Sequence, residues 1–466
     1  MSGTVNLYLK ELEILKEYQK SSPDLVMTKR DYNYVDVLKL IGIEVDFGYL
    51  PQGYLNLYNQ DFIVEELISD GMISLIEPEN FEIPVPQPGE KTLYADLVKT
   101  GLSTLEAVEA LAQSLDIPVN QIGYAGLKDK VAVTSQRLSF RGVDVNKIKS
   151  LAIPGLALKN FFWGKGVLLK GGLIGNQFII LVRTPVTLGQ GWLDESLAKF
   201  KNGFYNFYYF QRFGTPRLLG HQLGKLILQR NYQQAVETFL TDRGIQNVPL
   251  LNQIRQSAKE NMGQWQTLEK IFLQLPYTCR LELKLVNHLI KNPHDFLGAL
   301  KQINDQITLW VLAYSSYLFN VRLSRLINQQ VKLPPRLPLL TNPECQRTGI
   351  YDEQLAQAAI TDLGTPLREI FGHWPSNNGS CLTTAEVKIS KSKIIKQGVV
   401  LVFQLPKGVY ATTFLANLFS LYQGLPVPDW LDRTKYDTKK LLSLGSIEKV
   451  ETLLGQYMFS RLDQII

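Results

Sequence analysis

Residues 124–140 read YAGLKDKVAVTSQRLSF, the most informative stretch of the chain. Both ends are rich in residues that favour strands, and Leu138 and Phe140 alternate with polar residues as they do in a half-buried strand. The middle holds one acid, Asp129, between two lysines. The pattern predicts two strands joined by a charged loop.

This charged loop has two explanations. Gly126 followed by Lys-Asp-Lys is ordinary turn chemistry, because glycine tolerates positive φ and an aspartate bonds to nearby main chain. A functional explanation is that the loop lies in a positively charged segment, because Asp129 and Asp144 are the only acidic residues among the many basic ones between 128 and 170. Such a segment fits an RNA backbone, although a solvated face that binds nothing has the same composition. The basic residues are Lys128, Lys130, Arg137, Arg141, Lys147, Lys149, Lys159, Lys165 and Lys170.

The composition is that of a globular protein long enough for two or three domains, with 466 residues, 45% of them hydrophobic and 20% charged. The net charge of +6 agrees with binding to a polyanion but does not establish it. The N-terminal residues are charged and amphipathic, and no window approaches 18 uncharged apolar residues. We therefore expect a soluble cytoplasmic protein that does not bind a membrane.

Several signatures of known chemistry are missing. The three cysteines, Cys279, Cys345 and Cys381, are far apart and form no CxxC pair, which argues against a disulfide framework or a structural zinc. The chain has no GxxxxGK[ST] phosphate loop, no HxE with PCxxC, and no GxSxG nucleophile turn. We expect chemistry that needs no metal, no cofactor and no nucleotide.

Periodicity predicts an α+β chain. A capping box of Ser103 and Glu106 opens a helix at about 103–115, and Leu105 and Val108 begin its apolar face. Strands are predicted at DFIVEEL, FWGKGVLLK, GNQFIILVR and VVLVFQL, and helices fill residues 1 to about 47 and about 204 to 370. Sequential strands favour antiparallel pairing, and a helix-rich block inside a strand-rich one indicates an inserted domain.

The stretch GYAGLKDKVAVTSQ resembles the catalytic loop of the TruD family of RNA pseudouridine synthases. GNQF at 175–178 is similar to a GNxF segment of that family, and NFYYFQRFG at 206–214 is similar to its NYFGxQRFG segment. DFIVEEL from Asp61, AYSSYLFN from Ala313 and LPKGVYATT from Leu405 also resemble family text in the expected order. These segments extend from about residue 50 to about residue 420.

The resemblance implies a pseudouridine synthase catalytic domain with a mixed, largely antiparallel sheet, interrupted by a helix-rich TruD insertion domain. The catalytic domain is expected at 48–203 and 371–430 and the insertion domain at 204–370. Helical extensions are expected at 1–47 and 431–466. The implied activity is the isomerisation of a flipped-out uridine in RNA, and uridine 13 of tRNA is the family's usual target.

The resemblance also implies roles for individual residues. Asp129 matches the catalytic nucleophile, and its cationic surroundings are expected to keep it ionised and to attract the RNA backbone. Phe178 matches an aromatic platform for the flipped uracil, although a strand phenylalanine is ordinarily core, and Asn176 is expected to position Asp129 or the base. The other substrate-binding candidates are Lys128 for a phosphate, Arg212 and Phe213 of the QRFG segment, and Glu66 of DFIVEEL.

Departures from the family pattern leave alternatives open. Where the family commonly has KxxPEDF, this chain has NLYNQDF from Asn56, and AYSSYLFN carries Ser315 where a glutamine is frequent. A non-catalytic RNA-binding protein or RNA chaperone that retains the fold would explain the altered KxxPEDF segment and the N- and C-terminal segments, about 47 and 35 residues long, that match no family text. A uracil-excising glycosylase would share base flipping and an acid but would leave an abasic sugar. For the enzyme, attack at C1′ and elimination from the sugar both remain open.

Overall fold

In a computed structural model of the chain, the structure describes residues 3–26, 33–68, 71–78, 80–215, 217–244, 248–371, 379–424 and 427–454. The chain divides into two units by its internal contacts. Gly48–Tyr205 and Ala385–Ile466 form what we call the sheet unit, and Met1–Phe47 and Asn206–Thr384 form the helical unit. The four predicted domain boundaries stay a prediction. No helix among the described residues is both long and apolar enough to cross a membrane.

Most of the strands lie in the sheet unit. In chain order they are β1 (Gln52–Leu55), β2 (Phe62–Leu67), β3 (Ile73–Ser74), β4 (Thr92–Thr100), β5 (Ile122–Tyr124), β6 (Val133–Arg141), β7 (Leu156–Gly164), β8 (Gly175–Arg183), β9 (Phe204–Tyr205), β10 (Arg336–Pro338), β11 (Ser380–Leu382), β12 (Thr384–Ala385), β13 (Lys388–Ile395), β14 (Gly398–Pro406) and β15 (Ser420–Gln423).

Most of the described helices lie in the helical unit. In chain order they are α1 (Gly3–Ser21), α2 (Pro23–Val26), α3 (Tyr34–Leu40), α4 (Thr104–Leu115), α5 (Val145–Lys149), α6 (Gln190–Ala198), α7 (Gly220–Leu228), α8 (Tyr232–Thr241), α9 (Pro249–Glu260), α10 (Trp265–Phe272), α11 (Arg280–Lys291), α12 (Phe296–Lys301), α13 (Asn304–Asn328), α14 (Pro343–Thr348), α15 (Asp352–Gln357), α16 (Gly364–Phe371), α17 (Ala411–Ala416), α18 (Thr438–Leu441) and α19 (Glu448–Leu454). Short 3-10 turns occupy Asn59–Asp61, Val119–Gln121 and Phe210–Phe213. The helix-rich block predicted at about 204–370 is therefore confirmed.

One large sheet organises the sheet unit, with the strand order β13-β14-β8-β2-β6-β4-β7. In its middle β2 and β6 run parallel, with Ile63 opposite Val133. The other neighbours along this order are antiparallel. The predicted α+β class and the mixed, largely antiparallel sheet are confirmed.

Two helices cover one face of this sheet, which we call the front face. Side chains alternate along each strand, so Leu97 of β4 and Leu138 of β6 point to the same side and pack against Val108 of α4. On the other half of the sheet Phe403 of β14 packs against Phe414 of α17, with ring centroids 4.7 Å apart. Strand alternation therefore supplies an apolar surface for each helix.

Helix α4 begins as its sequence predicts. The Ser103 side chain accepts a hydrogen bond from the Glu106 N–H, and the Glu106 carboxylate accepts one from the Ser103 N–H, which is the expected capping box. The predicted apolar face was wrong at its first residue, because Leu105 is 49% exposed and Thr104 is buried instead. The hydroxyl of Thr104 has a partner in the sheet, which explains why it occupies the inward position.

The C-terminal segment covers the opposite face of the sheet. Ile63, Val98 and Ile179 pack there against Leu442 and Val450. The predicted helical extension therefore contributes helices α18 and α19 to the sheet unit's core, while its last residues, 455–466, lie outside the described residues.

Buried ion pairs on that opposite face hold the C-terminal segment in place. Lys439 of α18 is buried and donates hydrogen bonds to the carboxylates of Glu65 (2.7 Å) and Glu77 (2.6 Å). The buried Arg183 guanidinium donates two 2.9 Å hydrogen bonds to Asp61 and others to main-chain carbonyls of the C-terminal segment. Buried charges need such partners, because an unpaired one costs several kcal/mol.

The helical unit has its own apolar core, which draws on α7 to α13. The N-terminal helix α1 is joined to it by Glu11, whose carboxylate accepts hydrogen bonds from the N–H groups of Tyr277 (2.7 Å) and Thr278 (2.8 Å). Two main-chain donors ahead of α11 are satisfied in this way. The N-terminal helical segment is thus part of the helical unit.

Candidate active site

The loop that carries Asp129 joins β5 to β6, as the sequence predicts. Its main chain is held by side chains of neighbouring elements. Gln136 of β6 donates a hydrogen bond to the Gly126 carbonyl (3.0 Å), and the Lys128 N–H donates one to the Thr104 hydroxyl (2.9 Å). Thr104 in turn donates to Gln136 (2.8 Å), so the helix, the strand and the loop share one hydrogen-bond network.

A buried lysine beneath the loop completes this network. Lys99 of β4 is fully buried, and its ammonium donates hydrogen bonds to the main-chain carbonyls of Leu102 (2.7 Å) and Asp129 (2.9 Å). A longer contact of 3.5 Å joins it to the Lys128 carbonyl. The loop is therefore fixed to the sheet by a cation directly behind the candidate nucleophile.

Asp129 is an exposed residue, but the protein around it changes the pKa of its carboxyl. Desolvation raises its pKa, while the charge of Lys99, the Asp129 N–H and the charge of Lys128 act in the opposite direction. Cationic neighbours are present in Lys99 and Lys128, and the expectation that they keep Asp129 ionised stays a prediction. Asp129 is thus an exposed residue whose carboxyl is less hydrated than that of a free aspartate.

Lys128 does not point to solvent, so the prediction that it contacts a phosphate was wrong. Its ammonium lies 2.8 Å from the Glu66 carboxylate of β2, and each side chain exposes only 2% of its surface. Burial raises the pKa of Glu66, and Lys128 opposes that rise. The two predicted site residues thus form a buried ion pair on the front face of the sheet, which leaves neither side chain free to bind the RNA backbone.

Asn176 lies next to this ion pair. On β8 it is the ladder partner of Glu66, and its side-chain oxygen is buried without a hydrogen-bond partner among the described residues. Gly175 before it must be glycine, because a Cβ atom there would lie 2.1 Å from the Leu405 carbonyl oxygen of β14. The GNQF segment therefore combines close strand packing with an unsatisfied acceptor on the front face.

Phe178, two residues further along β8, occupies the core. Its ring is 4% exposed and contacts the rings of Phe62 and Phe403, with centroid distances of 6.2 Å and 5.3 Å. This is the ordinary position of a strand phenylalanine. The ring shares the front face with Asn176, so its expected role as a base platform stays a prediction.

Arg212 and Phe213 belong to the helical unit. The Phe213 ring is fully buried against His221, so the prediction that it lines an RNA surface was wrong. Gly214 ends the 3-10 turn with φ of 83°, a conformation that glycine adopts readily, and the preceding ring turns into the core. Arg212 is half-buried with its guanidinium 5.2 Å from the Tyr208 ring, and its role stays a prediction.

The basic residues between 128 and 170 do not form one phosphate-binding patch. Lys159 is buried and donates to the Glu77 carbonyl. Lys128, Lys130, Arg137 and Lys147 each lie in an ion pair with a carboxylate, respectively of Glu66, Glu106, Asp96 and Asp116. The exposed ones without these roles are Arg141, Lys149, Lys165 and Lys170.

One of these exposed lysines lies close to the Asp129 loop. The Lys170 ammonium is 5.8 Å from the Tyr124 ring centroid, and the next N–H, of Gly171, donates a 2.7 Å hydrogen bond to the Ala125 carbonyl. Lys407 donates to the Gly171 carbonyl (2.9 Å) and supports the same segment. A positive charge is therefore available at the rim of the loop.

Sequence reasoning missed Lys99, Thr104 and Gln136. Gln136 lies in the quoted stretch, and a lysine near the end of a strand with apolar neighbours was a usable signal for Lys99. Nothing local marked Thr104, since its partners lie more than 20 positions away. No group of three or more His, Cys, Asp or Glu side chains in the described part of the chain is arranged to hold a metal ion.

The chain is similar to several known proteins. A family model described as tRNA pseudouridine synthase D (TruD) matches residues 51–338. A Methanopyrus kandleri protein named "Probable tRNA pseudouridine synthase D" is 31% identical over 353 residues, which are 71% of this chain and 86% of that protein. A protein of the same name from Methanococcus vannielii is 26% identical over 382 residues, covering 77% of this chain and 93% of its own.

A solved structure has the same fold. It comes from Methanosarcina mazei and is described as a candidate tRNA pseudouridine synthase D (TruD). It superposes with a TM-score of 0.59 at 23% identity and covers 82% of this chain and 98% of its own.

Proposed function

Because the chain belongs to the TruD family of tRNA pseudouridine synthases, we propose that it isomerises uridine 13 of tRNA with Asp129 as the nucleophile. One observation carries the proposal. Asp129 is the exposed acid of a loop whose main chain is fixed from three sides, by Gln136, Thr104 and Lys99. A nucleophile needs this combination of access and fixed position.

The reaction conserves the composition of the uridine and exchanges one hydrogen with solvent. The N1–C1′ bond breaks, the uracil turns, and a C5–C1′ bond forms; the C5 proton leaves to solvent and N1 gains a proton. The Asp129 carboxylate either attacks C1′ directly or promotes elimination from the sugar. No redox partner, metal or nucleotide enters this balance.

Asn176 has the right chemistry to position the detached uracil. Its side-chain oxygen is a buried acceptor without a partner among the described residues, and such an atom costs about 1–3 kcal/mol while it stays unsatisfied. The uracil N3–H is a donor that would satisfy it, and the adjacent Phe178 would offer an aromatic ring to the flipped base. These two residues are our candidates for holding the base during its rotation.

The RNA backbone is expected to contact the exposed lysines at the rim of the loop. Lys170 takes the role first expected of Lys128, because it is exposed beside Tyr124 and Ala125. Arg212 remains a candidate contact in the helical unit. The substrate class also implies that the protein acts where tRNA is present, in the cytoplasm.

A genetic experiment tests the substrate and the position. The gene is deleted in its host, and pseudouridine is mapped in total tRNA by carbodiimide chemistry. Loss of pseudouridine at position 13, with return on complementation, is the expected result. An unchanged map contradicts the tRNA assignment, and loss at another position contradicts only position 13.

A biochemical experiment separates the enzyme from its alternatives. Purified protein is incubated with tRNA that carries tritium at uridine C5, and the released tritium is counted. A non-catalytic RNA-binding protein or chaperone would bind without release. A uracil-excising glycosylase would lower the mass of the RNA by one base, whereas isomerisation leaves the mass unchanged.

A further inference from the structure

The most unusual buried group in the sheet unit is the Lys99 ammonium. It lies on the front face of β4, between the ladder partners Thr134 of β6 and Leu156 of β7, and none of its surface is exposed. An apolar side chain would fill this position without a desolvation cost of several kcal/mol. A lysine there needs a specific reason.

The surroundings of Lys99 provide one. A protonated lysine donates three hydrogen bonds, and three main-chain carbonyls face it, those of Leu102, Lys128 and Asp129. Two of the three belong to the loop that presents the candidate nucleophile. Two other buried lysines of this unit, Lys128 and Lys439, each form a hydrogen-bonded pair with a carboxylate. The buried Lys159 also donates to a main-chain carbonyl, but that carbonyl belongs to Glu77, outside the Asp129 loop.

We propose that Lys99 is a positioning residue for the reaction: its protonated ammonium holds the main chain of residues 128–129 so that the Asp129 carboxylate is presented to C1′, and turnover requires that proton. The inference rests on the proposed function in one respect, the assignment of Asp129 as the nucleophile. Lys99 itself touches neither substrate nor the reacting atoms. It acts through the loop.

Loss of the proton weakens both the hydrogen bonds that Lys99 donates to the loop and its electrostatic effect on Asp129. A neutral amine has two N–H donors instead of three and carries no charge, so the carbonyls of the loop lose part of their anchor. The Asp129 carboxylate also loses the neighbouring cation that opposes the rise in its pKa. Other charges near Lys99 are those of Lys128 and Lys130 in the loop and of Glu106 in α4.

The proton is lost within an accessible range of pH. Burial lowers the pKa of Lys99 to about 7, and the charge of Asp129 opposes that fall. The ammonium is therefore present below this pH and disappears as the pH rises through it. Asp129 gives the acid-side limb, because its reactive form is the deprotonated carboxylate, and its raised pKa moves that limb to higher pH. The two coupled groups predict a bell-shaped dependence of the chemical step on pH.

The test compares single-turnover isomerisation between about pH 5 and pH 8.5 for the wild type, Lys99→Met and Lys99→Arg. The wild type should lose activity on the alkaline side. Lys99→Met should be slower by roughly 100-fold at its optimum and should show no alkaline limb, since a misplacement of about 1 Å has an effect of this size. Lys99→Arg should recover most of the rate and keep it at high pH, because a guanidinium stays charged.

A matched control removes a lysine of similar bonding from another place. Lys147 of α5 also donates to a main-chain carbonyl, that of Leu115, and pairs with Asp116. Lys147→Met should keep the wild-type rate and the alkaline limb. A Lys99→Met protein with wild-type rate and an unchanged alkaline limb overturns the proposal.

A second measurement needs neither a variant nor activity. Hydrogen exchange of the amides of residues 125–132 in the wild type, corrected for the intrinsic effect of pH, should show less protection at pH 8.5 than at pH 6. Equal protection at both values overturns the proposal even if the Lys99 variants fail to fold. If Asp129→Asn retains activity while protection still falls with pH, the nucleophile assignment has failed and the anchoring by Lys99 has not.

Discussion

Replacement of Asp129 by asparagine tests the proposed chemistry directly. The amide is nearly isosteric, and the loop keeps its hydrogen bonds to Thr104 and Gln136, because these involve main-chain atoms of the loop. Desolvation raises the pKa of Asp129, so at neutral pH the folded protein carries the ionised group at a cost. The free energy of unfolding of the variant should therefore equal or exceed that of the wild type.

The expected loss is confined to turnover. An amide is not a nucleophile at C1′, so the single-turnover rate should fall by at least about 10⁴-fold, which corresponds to about 5.5 kcal/mol of transition-state stabilisation. Affinity for tRNA should stay the same or increase, because a negative charge has been removed from the site. The assay is tritium release from tRNA labelled at uridine C5, with filter binding and urea denaturation on the same preparation.

The matched control applies the same change to a different aspartate. Asp144 caps α5 by accepting a hydrogen bond from the Asn146 N–H, and asparagine caps helices equally well. Asp144→Asn should keep the wild-type rate and stability. A folded Asp129→Asn protein that isomerises uridine near the wild-type rate refutes the nucleophile assignment.

Three further predictions follow from the site. Lys128→Met leaves the Glu66 carboxylate buried without its cation, so it should lower the free energy of unfolding by about 3–5 kcal/mol near pH 7.5. Without Lys128 the pKa of Glu66 in the folded protein rises further, so this loss of stability should fade as the pH falls toward about 4.5. Urea titrations that show an equal loss at both pH values would contradict this. Phe178→Leu should lower kcat/KM for tRNA by roughly 10-fold to 100-fold, because stacking on the flipped base is lost. Its control, Phe403→Leu, removes the neighbouring ring of the same cluster and should affect stability alone. Equal kinetic effects of the two variants would argue that Phe178 is only a core residue. Lys170→Ala should lower the salt dependence of tRNA affinity by about one unit of log–log slope, and Lys147→Ala should leave it unchanged; a slope that does not differ between the two variants would remove Lys170 from the RNA contacts.

Much of the fold and one central residue of the candidate site follow from the sequence alone. Alternation in VTSQRLSF predicted β6, the capping box predicted the start of α4, and the charged interruption between two strands predicted an Asp129 loop. These features depend on residues within a few positions of one another. Local conformational preference and side-chain periodicity therefore suffice to predict them.

The tertiary structure alone decided where the charges of the site go. The Lys128 side chain is buried against the front face of the sheet because β2 places Glu66, 62 positions earlier, beside it. A buried carboxylate requires a cation. Lys99 and Thr104 reach the loop through contacts 24 to 30 positions apart, and the C-terminal segment enters the core through Lys439. A sequence does not show whether a given lysine side chain faces a phosphate or a buried carboxylate. Only packing, which determines which groups lose their water, separates the two.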